Sequence, residues 1–306
     1  MRRVDIAIIG AGPAGMNAAL YASKEGKTVA LFDRHAAGGR IRATWRVDNV
    51  LGFGELSAEE LVQKMVHHLA QLGVHAELGN VEDVRKRPDR SFDLTVDGEN
   101  LIADAVIVAC GTGPKPLGVK GEERLLARGV SYCAICDATF FEKEDVAVIG
   151  GGDSALEEAI YLAQTCKSVT VIHDLHKPTG SPSVCARVYA TPNIHILSEC
   201  RVEEFLGEEE LEAIQYLDLE DGNTKKLSVR GAFVYVGNRA DTGFLNHVLD
   251  RHGDTLNVDS QMRTTTLGVF ACGDVTKKEH RYIVTAISDG AIAALSALQY
   301  LEQRKG

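Results

Sequence analysis

One short pattern occurs twice in this chain, 140 residues apart, and it limits the fold more than any other feature. Residues 4–9 form an apolar run that leads into Gly10-Ala11-Gly12-Pro13-Ala14-Gly15 and then into the helix-favouring residues 16–24. Residues 145–149 lead in the same way into Gly150-Gly151-Gly152-Asp153-Ser154-Ala155 and residues 156–164. Strand, tight turn and helix in succession is the unit that opens a parallel α/β sheet and holds a dinucleotide. The first glycine allows the turn, the second lets backbone approach a pyrophosphate, and the third small residue seats helix against strand. The N–H groups at the helix start then face the phosphate. Glycine-rich turns are common before helices, so each copy alone is a weak indicator. The first gains weight from residues 29–32, a second strand ending at Asp33, which lies 23 residues past Gly10. An acid about 20 residues on is expected to bind an adenosine ribose.

A chain of 306 residues suits two domains at roughly 100–200 residues each. The expected fold class is α/β, with two doubly wound dinucleotide-binding-like domains, the second inserted into the first. Further short runs end in glycine, at 105–109, 232–236 and 269–272, the last followed by Gly273-Asp274. Proline and glycine cluster at 113–116 and again over 237–243, which sets the expected boundaries: 1–115 with 241–306, and 116–240 inserted. The charge sum of 33 basic and 43 acidic residues, or -10, disfavours a nucleic-acid partner. No stretch approaches the roughly 20 uninterrupted apolar residues of a membrane span. Asp5 interrupts the N-terminal run, which reads as a first strand rather than a signal peptide.

Seven cysteines, an odd number, fit reduced cytoplasmic thiols with one functional pair better than a disulfide scaffold. That pair is Cys133-Ala134-Ile135-Cys136, followed at once by Asp137. A zinc site needs further ligand pairs, and the other five cysteines are solitary. Two inert core cysteines would not call for the adjacent acid or the nearby fingerprint. A redox disulfide remains the favoured reading, with Asp137 able to carry a proton during thiol-disulfide exchange.

With these residues in order, the chain resembles the low-molecular-weight thioredoxin reductase family over essentially its whole length. The resemblance is carried by Gly10 to Gly15, Gly38-Gly39, Asp48-Asn49, Cys133-Ala134-Ile135-Cys136-Asp137, the segment from Gly150 to Ala159, and Gly268-Val269-Phe270-Ala271-Cys272-Gly273-Asp274-Val275. It implies FAD in the discontinuous domain, a pyridine-nucleotide-type inserted domain bearing the cysteines, a homodimer, and electron flow from flavin through the disulfide to thioredoxin. By the same match, Gly10, Gly12, Pro13, Ala14 and Gly15 hold the pyrophosphate and Asp33 the ribose. Gly39, Asn49 and Arg281 lie near the cofactor, as does Arg40, which replaces a family glutamine, and Gly273 and Asp274 lie near its ribityl chain. Cys136 faces the flavin, Cys133 attacks the partner's disulfide, and Asp137 is the acid-base residue.

The departures bear on the electron donor. Relatives that use NADPH carry His-Arg-Arg after the second fingerprint, whereas this chain has His173-Asp174-Leu175-His176-Lys177-Pro178. A carboxylate in that place repels a 2′-phosphate rather than clamping it. The expectation is closest to the NADPH-independent members, with reduced ferredoxin as donor. An NADH-dependent reductase using Asp174 and a flavin dithiol oxidase using oxygen are the alternatives. An acidic ferredoxin needs a local basic face, for which Arg40, Arg42 and Arg46 are candidates. Trp45, His280 and Tyr282 either stack on the flavin or serve packing.

Overall fold

The computed structural model describes residues 2–43, 46–249, 255–278 and 280–304. Trp45 lies outside the described residues. The chain divides into two compact units, residues 1–113 with 239–306, and residues 114–238. The cuts fall two residues before those expected from the proline and glycine clusters.

The first unit begins with β1 (Arg2–Ile9), α1 (Pro13–Lys24) and β2 (Val29–Asp33), followed by α2 (Ala58–Ala70). Next come β3 (Ala76–Leu78), β4 (Val81–Lys86), β5 (Phe92–Val96) and β6 (Glu99–Val108). β1 pairs in parallel with β2 on one side and β6 on the other, so it is central. Its composition follows from that position, because a central parallel strand is buried on both faces and cannot alternate polar with apolar. Ile6, Ala7 and Ile8 are fully buried. Burying each isoleucine stabilises the unit by about 1.5–3 kcal/mol.

The inserted unit repeats the design. β7 (Val130–Ser131) leads to the short helix α3 (Ala134–Asp137), then β8 (Asp145–Ile149), α4 (Asp153–Leu162), β9 (Ser168–Ile172), α5 (Pro182–Tyr189) and β10 (Ile194–Leu197). An antiparallel sheet, β11 (Cys200–Leu206), β12 (Ala213–Asp218) and β13 (Thr224–Ser228), precedes β14 (Gly231–Val234). The parallel sheet runs β7-β14-β8-β9-β10. Val146, Val148, Val169 and Val171 face α4 and α5, while Ala147, Ile149, Ala232 and Val234 face the antiparallel sheet. Lys115 N–H donates to the Gly237 carbonyl at 3.0 Å and closes the base of the unit.

Glu122 is buried in this unit and accepts three hydrogen bonds, from Leu117 N–H (2.8 Å), Gly118 N–H (2.6 Å) and the Tyr132 hydroxyl (2.8 Å). It ties the entering chain to the residue before Cys133. Glu122→Ala would leave three donors without their acceptor, the partly buried Leu117 N–H and Tyr132 hydroxyl and the exposed Gly118 N–H, and should cost about 2 kcal/mol, read as a lowered urea midpoint of the full chain. A loss under about 1 kcal/mol would remove that role.

The chain returns to the first unit with β15 (Val269–Ala271) and α6 (Ile283–Gln303). β15 pairs in parallel with residues 106–108 of β6, whose earlier half pairs with β5. Among the described residues this completes a 7-stranded sheet. α6 is long and apolar enough to cross a membrane by length and composition alone, a feature the reading of uninterrupted runs passed over. Its Ala286, Asp289, Gly290, Ala293, Ala294 and Ala297 are buried, and Gly290 packs so closely on α1 that an added Cβ would lie 2.1 Å from the Ala14 carbonyl oxygen. That face packs in the core of the unit.

Candidate redox active site

The first fingerprint is shaped by close approach. Gly10 has φ +108°, and a Cβ there would sit 2.3 Å from the Ala109 carbonyl oxygen, so only glycine turns the chain at this point. Pro13 occupies the first turn of α1, where its missing N–H costs nothing. Gly12 and Gly39 approach each other closely, a Cβ on Gly39 lying 3.1 Å from the Gly12 Cα. Asp33 accepts from Ala11 N–H at 2.7 Å and from His35 N–H at 2.9 Å, so the acid expected at a ribose also fastens the fingerprint loop. Each carboxylate oxygen retains a lone pair for a ribose hydroxyl.

Gly273 and Asp274 follow β15. Gly273 N–H donates to buried Asp289 at 3.0 Å, and Lys278 donates to the same carboxylate. Asp274 Oδ1 is buried and has no hydrogen-bond partner among the described residues. Burial pushes its carboxyl above the ordinary range, against the opposing pull of Arg40, Lys278 and Arg281. Arg40 also reaches Thr112 Oγ1 at 3.4 Å. Asn49 and Arg281 are exposed. Arg42 is bound to Glu59 at 2.7 Å and to the Ala37 carbonyl, which reduces the charge it offers to a partner. His280 and Tyr282 stack on each other, ring centroids 6.2 Å apart.

Cys133 and Cys136 form a disulfide at the start of α3, with Cα atoms 5.4 Å apart. Cys133 is half-buried and Cys136 exposed. Cys133 is the N-cap of the helix, and its sulfur accepts from Cys136 N–H at 3.3 Å. That donor favours negative charge on Cys133 once the pair is reduced. Asp137 is joined to the pair through Ser131, whose hydroxyl donates to Asp137 Oδ2 at 2.6 Å and accepts from Cys133 N–H at 3.0 Å. The Tyr235 hydroxyl accepts from Ala134 N–H at 2.9 Å and holds the first turn. Neither Ser131 nor Tyr235 was marked by any sequence motif. Both line up only once β7 and β14 are paired. A cavity of about 760 Å³ lies beside Asp137, lined also by Ser131, Arg128, Arg230, Phe141 and Phe140, the last 78% exposed. Away from the pair, burial pushes the Cys110 thiol up to about 12 and raises that of Cys272, which disfavours the thiolate form of both.

At the second fingerprint Gly150 has φ +132°, and its Cβ would lie 2.3 Å from the Tyr235 carbonyl oxygen, as Gly10 does beside Ala109. The buried His173 ring lies against Gly151, and burial lowers its pKa, keeping it neutral. Thr179 and Gly180 donate their N–H groups to the Gly151 carbonyl at 2.7 and 3.1 Å, and Ser181 N–H donates to Asp153 at 2.6 Å. Asp174 and Leu175 are exposed, and His176 lies 3.2 Å from Glu199. Lys177 is the only lysine or arginine in residues 173–181.

The family model described as pyridine nucleotide-disulphide oxidoreductase matches residues 4–290. A thioredoxin reductase of Listeria innocua is 35% identical over 303 residues, covering 98% of this chain and 95% of that protein. The structure resembles Lactococcus lactis thioredoxin reductase in its FR conformation, with a TM-score of 0.94, 34% identity, and coverage of 98% of this chain and 99% of that one. It also resembles a ferredoxin-flavin thioredoxin reductase of Clostridium acetobutylicum, with a TM-score of 0.56, 30% identity, and coverage of 100% and 99%. Thioredoxin reductases of this kind bind FAD. The open approach at Gly12 and the partnerless Asp274 oxygen fit that cofactor, the first as room for a diphosphate and the second as acceptor for a hydroxyl. A doubled dinucleotide fold with one redox disulfide in its inserted unit thus has both a matching family model and full-length relatives: the chain belongs to the pyridine nucleotide-disulphide oxidoreductases and, among them, to the low-molecular-weight thioredoxin reductases.

Proposed function

We propose that this reductase passes electrons through Cys133 and Cys136 to the disulfide of thioredoxin, and that it receives them from reduced ferredoxin rather than from NADPH. The observation that carries the donor assignment is the exposed pair Asp174 and Leu175, which stands where NADPH-dependent relatives place two arginines. A phosphate held by guanidinium groups gains charge-assisted bidentate hydrogen bonds, and neither residue can supply them. The likeness to the ferredoxin-flavin enzyme of Clostridium acetobutylicum supports the same reading.

When bound, FAD would supply the two electrons that reduce the Cys133–Cys136 disulfide. Gly10, Gly12, Pro13, Ala14 and Gly15 would cradle its diphosphate, Asp33 would accept from the adenosine ribose, and Gly273 and Asp274 would hold the ribityl chain. Gly39, Arg40, Asn49 and Arg281 complete the surround. Cys136 is the sulfur that would receive them, and Cys133, favoured as thiolate by the Cys136 N–H, attacks the acceptor. Asp137 carries the proton to the leaving sulfur. The cavity beside Asp137, with exposed Phe140, is the surface on which thioredoxin docks. The reading includes a homodimer and a reducing cytoplasmic setting, which five free cysteines support.

A second reading, NADH as donor, is favoured by one observation: Asp174 is exposed 24 residues past Gly150, at a fingerprint whose turn is kept. Such an acid suits an unphosphorylated ribose. The two separate in an anaerobic titration of the flavin absorbance with reduced ferredoxin, NADH and NADPH in parallel. Bleaching is expected with ferredoxin alone. Bleaching by micromolar NADPH would overturn the donor assignment, and bleaching by NADH would replace it with the second reading.

A further inference from the structure

The Ser131 hydroxyl stands between the two groups that change protonation in thiol-disulfide exchange. It is buried, donates to Asp137 Oδ2 at 2.6 Å, and accepts from Cys133 N–H at 3.0 Å. A second acceptor for its single proton, the Cys133 carbonyl, lies 3.3 Å away. We infer that Ser131 is a positioning residue whose hydroxyl turns between Asp137 and the Cys133 carbonyl as Asp137 loses and regains its proton.

This rests on Asp137 acting as acid and base for the pair. Exchange begins with Cys133 as thiolate, Cys136 as thiol and Asp137 protonated. Cys133 attacks one acceptor sulfur, an S–S bond forms between them, and the other acceptor sulfur leaves and takes the Asp137 proton. Asp137, now a carboxylate, removes the Cys136 proton. Cys136 attacks Cys133, the mixed disulfide breaks, and the second acceptor sulfur receives that proton. Two electrons and two protons have passed to the acceptor. Ser131 suits each state of Asp137. Against the carboxylate it is the donor at 2.6 Å. Against the protonated acid its oxygen accepts the carboxyl proton, while its own proton turns to the Cys133 carbonyl. In both states the oxygen accepts from Cys133 N–H, so the nucleophile's backbone stays fixed through the cycle.

Other charges border Asp137 in the cavity: Arg128, Glu144, Glu209, Glu210 and Arg230, of which Arg230 is paired with Glu210 at 2.6 Å. They set the overall field and are unaltered by a change at Ser131, so a difference between serine and alanine reports the hydroxyl itself.

The test uses full-length protein, reduced anaerobically with dithionite and mixed with oxidised thioredoxin, the single-turnover rate being followed against pH. Ser131→Ala removes a donor that favours the carboxylate form, so the alkaline fall of the single-turnover rate should move to higher pH by about one unit. Ser131→Thr keeps the hydroxyl and should restore the original profile. Ser131→Cys, a weaker donor of similar size, should shift the profile in the same direction by less. A rate lowered by the same factor at every pH, or an unchanged profile in Ser131→Ala, would overturn the inference while leaving the reductase reading intact. Absence of any thioredoxin reduction by the unaltered protein would overturn both.

Discussion

Cys136→Ser should abolish catalytic thioredoxin reduction, lowering turnover by at least about 10⁴-fold, and leave FAD bound and the fold intact. One remaining sulfur cannot close a disulfide, so no two-electron relay exists. The fold survives because Cys136 is exposed and its disulfide spans a sequence separation of only 3, a loop too short to constrain the unfolded chain much. Retention of FAD follows from the cradle proposed for it, Gly12, Gly39 and Asp274, all in the first unit. The roles proposed for the two sulfurs predict a further result. In Cys136→Ser the Cys133 thiolate can still attack oxidised thioredoxin, forming one S–S bond and releasing one thiol, but nothing resolves the adduct. A covalent complex should accumulate on a non-reducing gel with this variant and not with Cys133→Ser. Accumulation with Cys133→Ser alone would reverse the assignment of the attacking sulfur. Unchanged turnover in Cys136→Ser would remove the pair from the chemistry.

The fold was legible because its decisive residues act locally. Gly10 and Gly150 each turn a strand end at positive φ, and each lies against a carbonyl from the neighbouring strand's end, so the same pattern in sequence marks the same geometry twice. The disulfide was legible for the same reason, since two cysteines at that spacing meet across one helical turn. The groups that orient the pair left no such mark. Tyr235 is 101 residues from Ala134, whose N–H it accepts, and only the parallel pairing of β7 with β14 brings them together. Ser131 belongs to no motif, and its meaning depends on the turn that returns Asp137 to it. Arg42 shows the opposite case. A basic residue near the flavin markers invited a role in docking, yet Glu59, 17 residues on, holds its guanidinium. Charge in a sequence does not distinguish a solvated cation from one already paired. For α6 the reading by uninterrupted runs and the length of the helix diverge, because Asp289 and Gly290 interrupt the apolar run but serve the core.

Gly15→Ala and Gly12→Ala should fail in different ways, and the contrast tests whether the first fingerprint is a cofactor cradle or only a tight turn. An added Cβ at Gly15 would lie 1.8 Å from the Gly10 carbonyl oxygen and 3.3 Å from the Ala109 side chain. Both are fixed by the sheet, so α1 must lift. Lifting weakens the packing of Ala14, Ala18 and Ala19 against the strands and α6. The expected cost is about 3 kcal/mol, seen as earlier unfolding in urea even without cofactor. Gly12 differs in both respects. Its φ of -76° is open to alanine, and the nearest atom to an added Cβ, the Gly39 Cα, is 3.9 Å away, an ordinary contact. The cofactor-free protein should therefore unfold within about 0.5 kcal/mol of the unaltered chain. The methyl group would nevertheless fill the space through which a diphosphate reaches the start of α1, where N–H groups replace its water. FAD affinity, measured by titration into apoprotein, should fall at least about 100-fold, equivalent to about 2.7 kcal/mol. If Gly12→Ala folds normally and binds FAD as before, the diphosphate lies elsewhere. If it unfolds as early as Gly15→Ala, Gly12 serves the turn and its openness has no bearing on the cofactor.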